Sequence, residues 1–234
     1  MKNRKIWVML VGLFTALTSG FMGTTLTFAE ENEASQTIEQ PSYISDFPNQ
    51  VGHWQDLVGT AEKKNDSAGL WIANTKQGTN LESVSINLDA REQSSGDLEL
   101  TFLYEGQSNF GLVFRGDKQK TSQWQSFAYN RDGRWQLGQP GGKWLTNIPG
   151  PTLLSGQQYK LLVRYDGKKI QTFLNDQLFY ENEEVHYPDG TSINDDWMGA
   201  VGIRLFGNLS KLNIISMKSG PVGSIPVIDS SAEY

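Results

Sequence analysis

Between residues 47 and 217 no run of apolar side chains holds helical spacing for three turns; short apolar runs are divided instead by glycine, asparagine and aspartate. Such a chain is restricted to β-structure, because a strand buries one face at a period of two whereas a helix needs 3.6. Leu98, Leu100, Phe102 and Tyr104 alternate with Glu99, Thr101 and Leu103, the pattern of a half-buried strand. Residues 110–115 and 201–206 alternate in the same way. Residues 159–165, then Asp166-Gly167, then 168–174 predict a hairpin with a type I′ turn, since Asp-Gly supplies the positive φ angles. Asn175-Asp176, residues 130–133 and Gly207-Asn208 mark further turns. Roughly ten to thirteen short strands without crossover helices predict an all-β chain, an antiparallel β-sandwich or jelly roll in one domain.

The amino terminus carries a different pattern. Lys2, Arg4 and Lys5 precede an apolar run over residues 6–22, and Thr27-Phe28-Ala29 stands before Glu30-Glu31. This predicts a secretory signal peptide over residues 1–29 with cleavage after Ala29; an uncleaved anchor helix is the competing reading. Residues 30–49 read as a flexible lead-in, 50–218 as the folded domain, and 219–234 as a tail or linker. Removing the leader would leave 17 basic against 26 acidic residues, a formal charge of −9. An acidic chain without a Lys/Arg cluster argues against nucleic acid as a partner, since phosphate contacts need local positive charge. The absence of cysteine excludes disulfides, thiolate zinc sites and a cysteine nucleophile.

Catalytic patterns are missing too. There is no Gly-x-Ser-x-Gly elbow, no phosphate-binding glycine loop and no His-Glu-x-x-His helix, and the two histidines, His53 and His186, stand in polar surroundings. A glycosidase needs two carboxyl groups across a groove. The nearest approach to a Glu-x-Asp-x-x-Glu strand is Asp97-Leu98-Glu99, which lacks its third member, and Glu181, Glu183 and Glu184 read as a solvated strand edge. No catalytic residue is assigned.

Aromatic side chains carry the positive signal, because sugar C–H faces stack on indole and phenol rings while hydroxyls bond to Asp, Glu, Asn and Arg. Trp54 and Trp71 read as core; Trp135 and Trp144 flank the 138–143 loop, and Trp197 follows Asp195-Asp196. If residues 98–104 pair with 110–115 as a hairpin, the apolar faces coincide with Tyr104 opposite Phe110 and Leu100 opposite Phe114. That register sets Glu99 opposite Arg115 on the face away from the core, where Arg204 could join them.

The order of several segments resembles a known family. Gly69-Leu-Trp-Ile-Ala-Asn-Thr75, Phe110-Gly-Leu-Val-Phe-Arg-Gly-Asp117, Phe127-Ala-Tyr-Asn-Arg131, Gly133-Arg-Trp135, Tyr159-Lys-Leu-Leu-Val-Arg-Tyr-Asp-Gly167 and Met198-Gly-Ala-Val-Gly-Ile-Arg-Leu-Phe206 are similar, in this order, to the concanavalin-like jelly rolls of carbohydrate-binding module family 66. These accompany secreted levanases and other fructan hydrolases, with laminin-G-like modules and keto-disaccharide hydrolases as wider relatives. The resemblance implies a pocket for a terminal fructose lined by Arg115, Asp117, Tyr129 and Arg204. Glu99 joins them by register, and Trp135 and Trp197 as loop rings. The 183–196 loop and Pro140-Gly-Gly142 have no counterpart in that pattern. No cofactor is implied, although some jelly rolls hold calcium, for which Asp195-Asp196 would be the place.

The leading expectation is therefore a secreted, non-catalytic carbohydrate-binding module for a terminal sugar of a β-fructan or similar glycan. It would be free of the membrane after leader cleavage and could work beside a glycoside hydrolase. A glycoside hydrolase related to the keto-disaccharide hydrolases, and an adhesin-type protein-binding module, are the alternatives.

Overall fold

Two sheets face each other, and which strands share a sheet decides where every candidate side chain points. The structure, a computed structural model, describes residues 43–45, 51–66, 69–74 and 81–228, all within one compact unit. The expected leader and its cleavage site lie outside the described residues, as does the lead-in apart from Tyr43–Ser45.

Among the described residues fifteen strands, β1 to β15 in chain order, are paired antiparallel. One sheet runs β13 (Gln177–Asn182), β12 (Lys169–Leu174), β11 (Gln157–Asp166), β6 (Gly96–Tyr104), β15 (Lys211–Gly220), β4 (Gly69–Ala73), β3 (Glu62–Asp66), with β1 (Tyr43–Ser45) also on β15. The other runs β10 (Lys143–Ile148), β9 (Arg134–Gln139), β8 (Gln125–Asn130), β7 (Asn109–Gly116), β14 (Ala200–Phe206), β5 (Glu82–Asn87), β2 (Trp54–Val58). This is the all-β sandwich that the alternation predicts. Leu98, Leu100, Phe102 and Tyr104 point inward and are buried, as are Phe110, Leu112 and Phe114. Phe114 stacks on Tyr165 from the opposite sheet with ring centroids 4.8 Å apart.

The turns follow local chemistry. Asn175 and Asp176 both take positive φ, 50° and 66°, between Leu174 and its partner Gln177, the signature of a type I′ turn. The β11–β12 turn differs from expectation by one residue. Asp166 pairs with Lys169, so the turn residues are Gly167-Lys168, and of these only Gly167 has positive φ, the II′ pattern with glycine first.

The expected hairpin of 98–104 with 110–115 does not form. β6 pairs with β11 and β15, whereas β7 pairs with β8 and β14 in the other sheet. Phe102 and Phe110 do meet, but across the core, edge to face at 4.8 Å. The same alternation satisfies either arrangement, because both bury the same side chains. Glu99 and Arg115 consequently never face each other. Glu99 lies on the outer face of the eight-stranded sheet, with Oε1 3.2 Å from Nζ of Lys218, its register partner on β15.

Arg115 is also not on a polar face. A bulge in β7 sets Gly116 opposite Ala200 and Val113 opposite Gly202, and Arg115 adopts φ 55°, unusual for a bulky residue. Its side chain is fully buried at one end of the sandwich. Nε donates to Ser94 O at 2.7 Å, Nη1 to Gln125 Oε1 at 2.9 Å and Asn194 O at 3.1 Å, and Nη2 to Gly167 O at 2.7 Å. Three loops are thereby fastened to one side chain.

The region expected as a tail is partly structured. β15 runs through Gly220, and Ile225 packs on Leu162 and Phe173 over the outer face of the eight-stranded sheet. Asp97, held bidentately by Arg164 at 2.8 Å, accepts the Ile225 N–H at 3.1 Å, and Arg164 donates to the Ile225 carbonyl.

Replacing Arg115 by alanine would strand several buried acceptors at a cost of about 1–3 kcal/mol each. Arg115→Ala is expected to lower unfolding stability by about 3–5 kcal/mol. The check is urea denaturation, with the midpoint falling and the slope unchanged.

Candidate functional site

Alternation in the seven-stranded sheet sends Phe110, Leu112, Phe127, Leu137, Ile203 and Leu205 to the core. Their neighbours Gly111, Ser126, Ala128, Gly138, Gly202 and Arg204 go outward. The outward set is small at the centre of the sheet, and larger side chains lie over it. Trp144 on β10 opposes Gly138, and a Cβ built there would lie 2.0 Å from Trp144 Cε3, so the indole rests on bare backbone. Trp124, at the end of the β7–β8 loop, is buried beside it with ring centroids 6.2 Å apart.

Arg204 organises these rings. Its guanidinium carbon stands 4.2 Å from the centroids of both Trp144 and Phe206, and 5.4 Å from that of Trp124. Nε donates to Glu82 Oε1 at 2.5 Å. Burial lowers the Arg204 pKa while Glu82 opposes that shift; a guanidinium stays charged regardless. Among the described residues Nη1 has no hydrogen-bond partner, and neither has the buried hydroxyl of Ser126 on the same face. Trp144 and Phe206 remain partly exposed, as do Glu82 and Gln136. The result is a ring platform clamped around a cation, edged by a carboxylate and an amide.

The seven residues expected to form one site do not converge. Arg115 and Glu99 are accounted for above, on different elements. Tyr129 and Trp135 do meet, with centroids 4.8 Å apart, but inside the core. The Tyr129 hydroxyl accepts from Leu153 N at 3.0 Å, its pKa raised by burial, and Trp135 Nε1 donates to Pro151 O at 2.9 Å. Asp117 accepts the Gln119 N–H at 2.8 Å and pairs with Lys120. These partners, the Gln119 N–H foremost, hold its carboxyl below the usual range, and it shapes the loop that leads to Trp124. Trp197 is partly exposed in the segment before β14. Arg204 alone of the seven reaches the platform. Trp124, Phe206 and Glu82 were not foreseen; the alternation that turned Arg204 outward also turns Phe206 outward two residues later. Among the described residues no group of three or more His, Asp or Glu side chains gathers as a metal site would require.

No family model matches the sequence. A solved protein of unknown function with a galectin-like fold from Bacillus subtilis is 14% identical, with a TM-score of 0.54 over 74% of this chain and 90% of its own. A GlcNAcα1-4Gal releasing endo-β-galactosidase from Clostridium perfringens is 11% identical, with a TM-score of 0.53 over 79% of this chain and 63% of its own. The carbohydrate binding module CBM66 from Bacillus subtilis is 16% identical, with a TM-score of 0.49 over 68% of this chain and 94% of its own. What the chain shares with the first two is the fold, a concanavalin-like jelly roll.

The packing of Trp144 on Gly138 can be tested directly. Gly138→Ala is expected to push the indole off the sheet, costing about 1–3 kcal/mol and shifting tryptophan emission to longer wavelength. Fluorescence and thermal unfolding of the variant check both.

Proposed function

We propose that this chain is a secreted, non-catalytic carbohydrate-binding module that takes a terminal sugar of a β-fructan or similar glycan on the outward face of its seven-stranded sheet. The observation that carries the reading is the pair of partly exposed rings, Trp144 and Phe206, held rigid around Arg204 with Glu82 beside them. Rings held this way lose little freedom when a sugar's C–H face covers them, and Glu82 and Gln136 supply acceptors and donors for its hydroxyls. The formal charge of −6 favours a neutral ligand over a polyanion. Fructan as the sugar, and a hydrolase as working partner, rest on the segment order that resembles family 66. Export rests on the leader pattern, which predicts a mature protein beginning at Glu30.

Calorimetry against a panel of short glycans, β-fructan oligosaccharides included, tests the proposal. Binding to this face is expected in the wild type, and Trp144→Ala is expected to weaken that binding about tenfold or more, a loss of about 1.4 kcal/mol or more. Circular dichroism of the variant is expected to match the wild type. Absence of heat with every glycan at about 10 mM, where even a Kd of several millimolar would register, would overturn the reading.

A further inference from the structure

The eight-stranded sheet also has an outward face, and there β4 departs from its neighbours. Leu70 and Ile72 point into the core, so Trp71 and Ala73 point out, and Trp71 stands partly exposed. Lys64, its register partner on the edge strand β3, places Nζ 4.2 Å from the indole centroid. Beside this ring lies an open cavity of about 520 Å³, walled by Trp71, Asn74, Glu105, Gln107, Leu209 and Lys211. That volume is in the range of small-ligand sites. Lys211 pairs with Glu105 across it.

One wall is under strain. Leu209 has φ 55°, a left-handed conformation that costs a leucine of order 1–3 kcal/mol, yet the residue is 57% exposed and buries little to offset that. The backbone around it is fixed on several sides. Ser210 Oγ donates to Phe206 O at 2.6 Å and accepts from Asn109 N at 3.2 Å, Asn74 N donates to Ser210 O at 2.8 Å, and Gly207 N donates to Leu81 O at 2.8 Å. The loop therefore presents an apolar side chain to the cavity in a fixed place.

We infer that this cavity is a second glycan-binding site, in which Trp71 takes the C–H face of a sugar ring, Leu209 closes its apolar side, and Gln107 with the Lys211–Glu105 pair bonds its hydroxyls. A peptide added as a strand is a poor occupant, because β4 already pairs with β15 on one side and β3 on the other. A purely apolar ligand would leave the lysine, carboxylate and amides of the wall without partners. The ligand class is the one proposed for the Arg204 platform, but the cavity stands on residues of the opposite sheet. Two sites on opposite sheets would let one chain hold two glycan strands, or two ends of one branched glycan.

The test is calorimetry of the full chain with a β-fructan tetrasaccharide, a β-glucan tetrasaccharide and a β-galactan tetrasaccharide, comparing wild type, Trp71→Ala, Trp144→Ala and the double variant. The inference expects two equivalents bound by the wild type, one by each single variant and none by the double variant. Trp71→Ala binding as the wild type does would overturn this inference and leave the platform standing. Trp144→Ala binding as the wild type does, with Trp71→Ala binding nothing, would support the cavity and remove the platform. No binding by any form would overturn both. Leu209→Gly separates ligand contact from folding: it is expected to raise the thermal midpoint by relieving the left-handed leucine, while weakening the binding that survives in Trp144→Ala by about threefold or more. An unchanged affinity in that background would count against the wall assigned to Leu209 and overturn the site as drawn.

Discussion

A guanidinium removed from water must give each of its N–H groups a partner or forfeit several kcal/mol, and Arg115 finds its partners in carbonyls that belong to three separate loops. Those loops are where a sandwich is weakest, since their backbone has few strand neighbours to bond. Ser94 belongs to the β5–β6 connection, Gly167 to the β11–β12 turn and Asn194 to the long connection before β14. Gln93 adds a reciprocal bridge to Gly199 and a side-chain bond to the Tyr165 hydroxyl, whose pKa burial pushes up to about 12. One end of both sheets is locked by this node. The positive φ of Arg115 is the cost of aiming its side chain inward at the bulge, and the hydrogen bonds offset it.

With that end fixed, the outward faces are free to differ. On the seven-stranded sheet the central positions are glycine, alanine and serine, and three rings with Arg204 settle over them. On the eight-stranded sheet part of the outer face is covered by the chain's own Ile225 and Val227, which pack on Leu162 and Phe173. Another part is left to Trp71 and its cavity. Both sheets thus have large parts of both faces buried, which explains why β7 shows no exposed position along its whole length. A strand covered on both faces loses the polar half of its alternation.

That loss sets the limit on what could be read from sequence. Where apolar residues hold a strict period of two or a turn has obligatory residues, the reading is close: Leu98, Leu100, Phe102 and Tyr104 of β6 all point inward as expected, and Asn175-Asp176 turns as its residue types require. The partner of each strand was not legible. Pairing β6 with β7 and stacking β6 over β7 bury the same Phe102 and Phe110, so hydrophobic pattern cannot choose between them. Arg115 was misplaced for a related reason, because a bulge shifts the count by one and no local residue announces it. Trp71 reads as core because most tryptophans fill a core, although its flanks, Leu70 and Ile72, compete for the same inward side. Two large neighbours pointing in leave the residue between them pointing out.

The same reasoning bears on where function can sit in this fold. Ligand contact needs rings that are held but not buried, and the inward faces here spend theirs on the core: Tyr104, Phe110, Tyr129 and Trp135 touch one another in a continuous chain. A ring on an outward face has less such company, and a second kind of contact holds it. Trp144 is held by a glycine beneath it and a guanidinium beside it, and Trp71 by the ammonium of Lys64. In both places a cation supports an aromatic surface that is partly open to solvent, and a cation over an indole is worth about 0.5–2 kcal/mol depending on its exposure. That is enough to fix a rotamer, so each tryptophan presents its open part in a set orientation, Trp144 while also packing against the core.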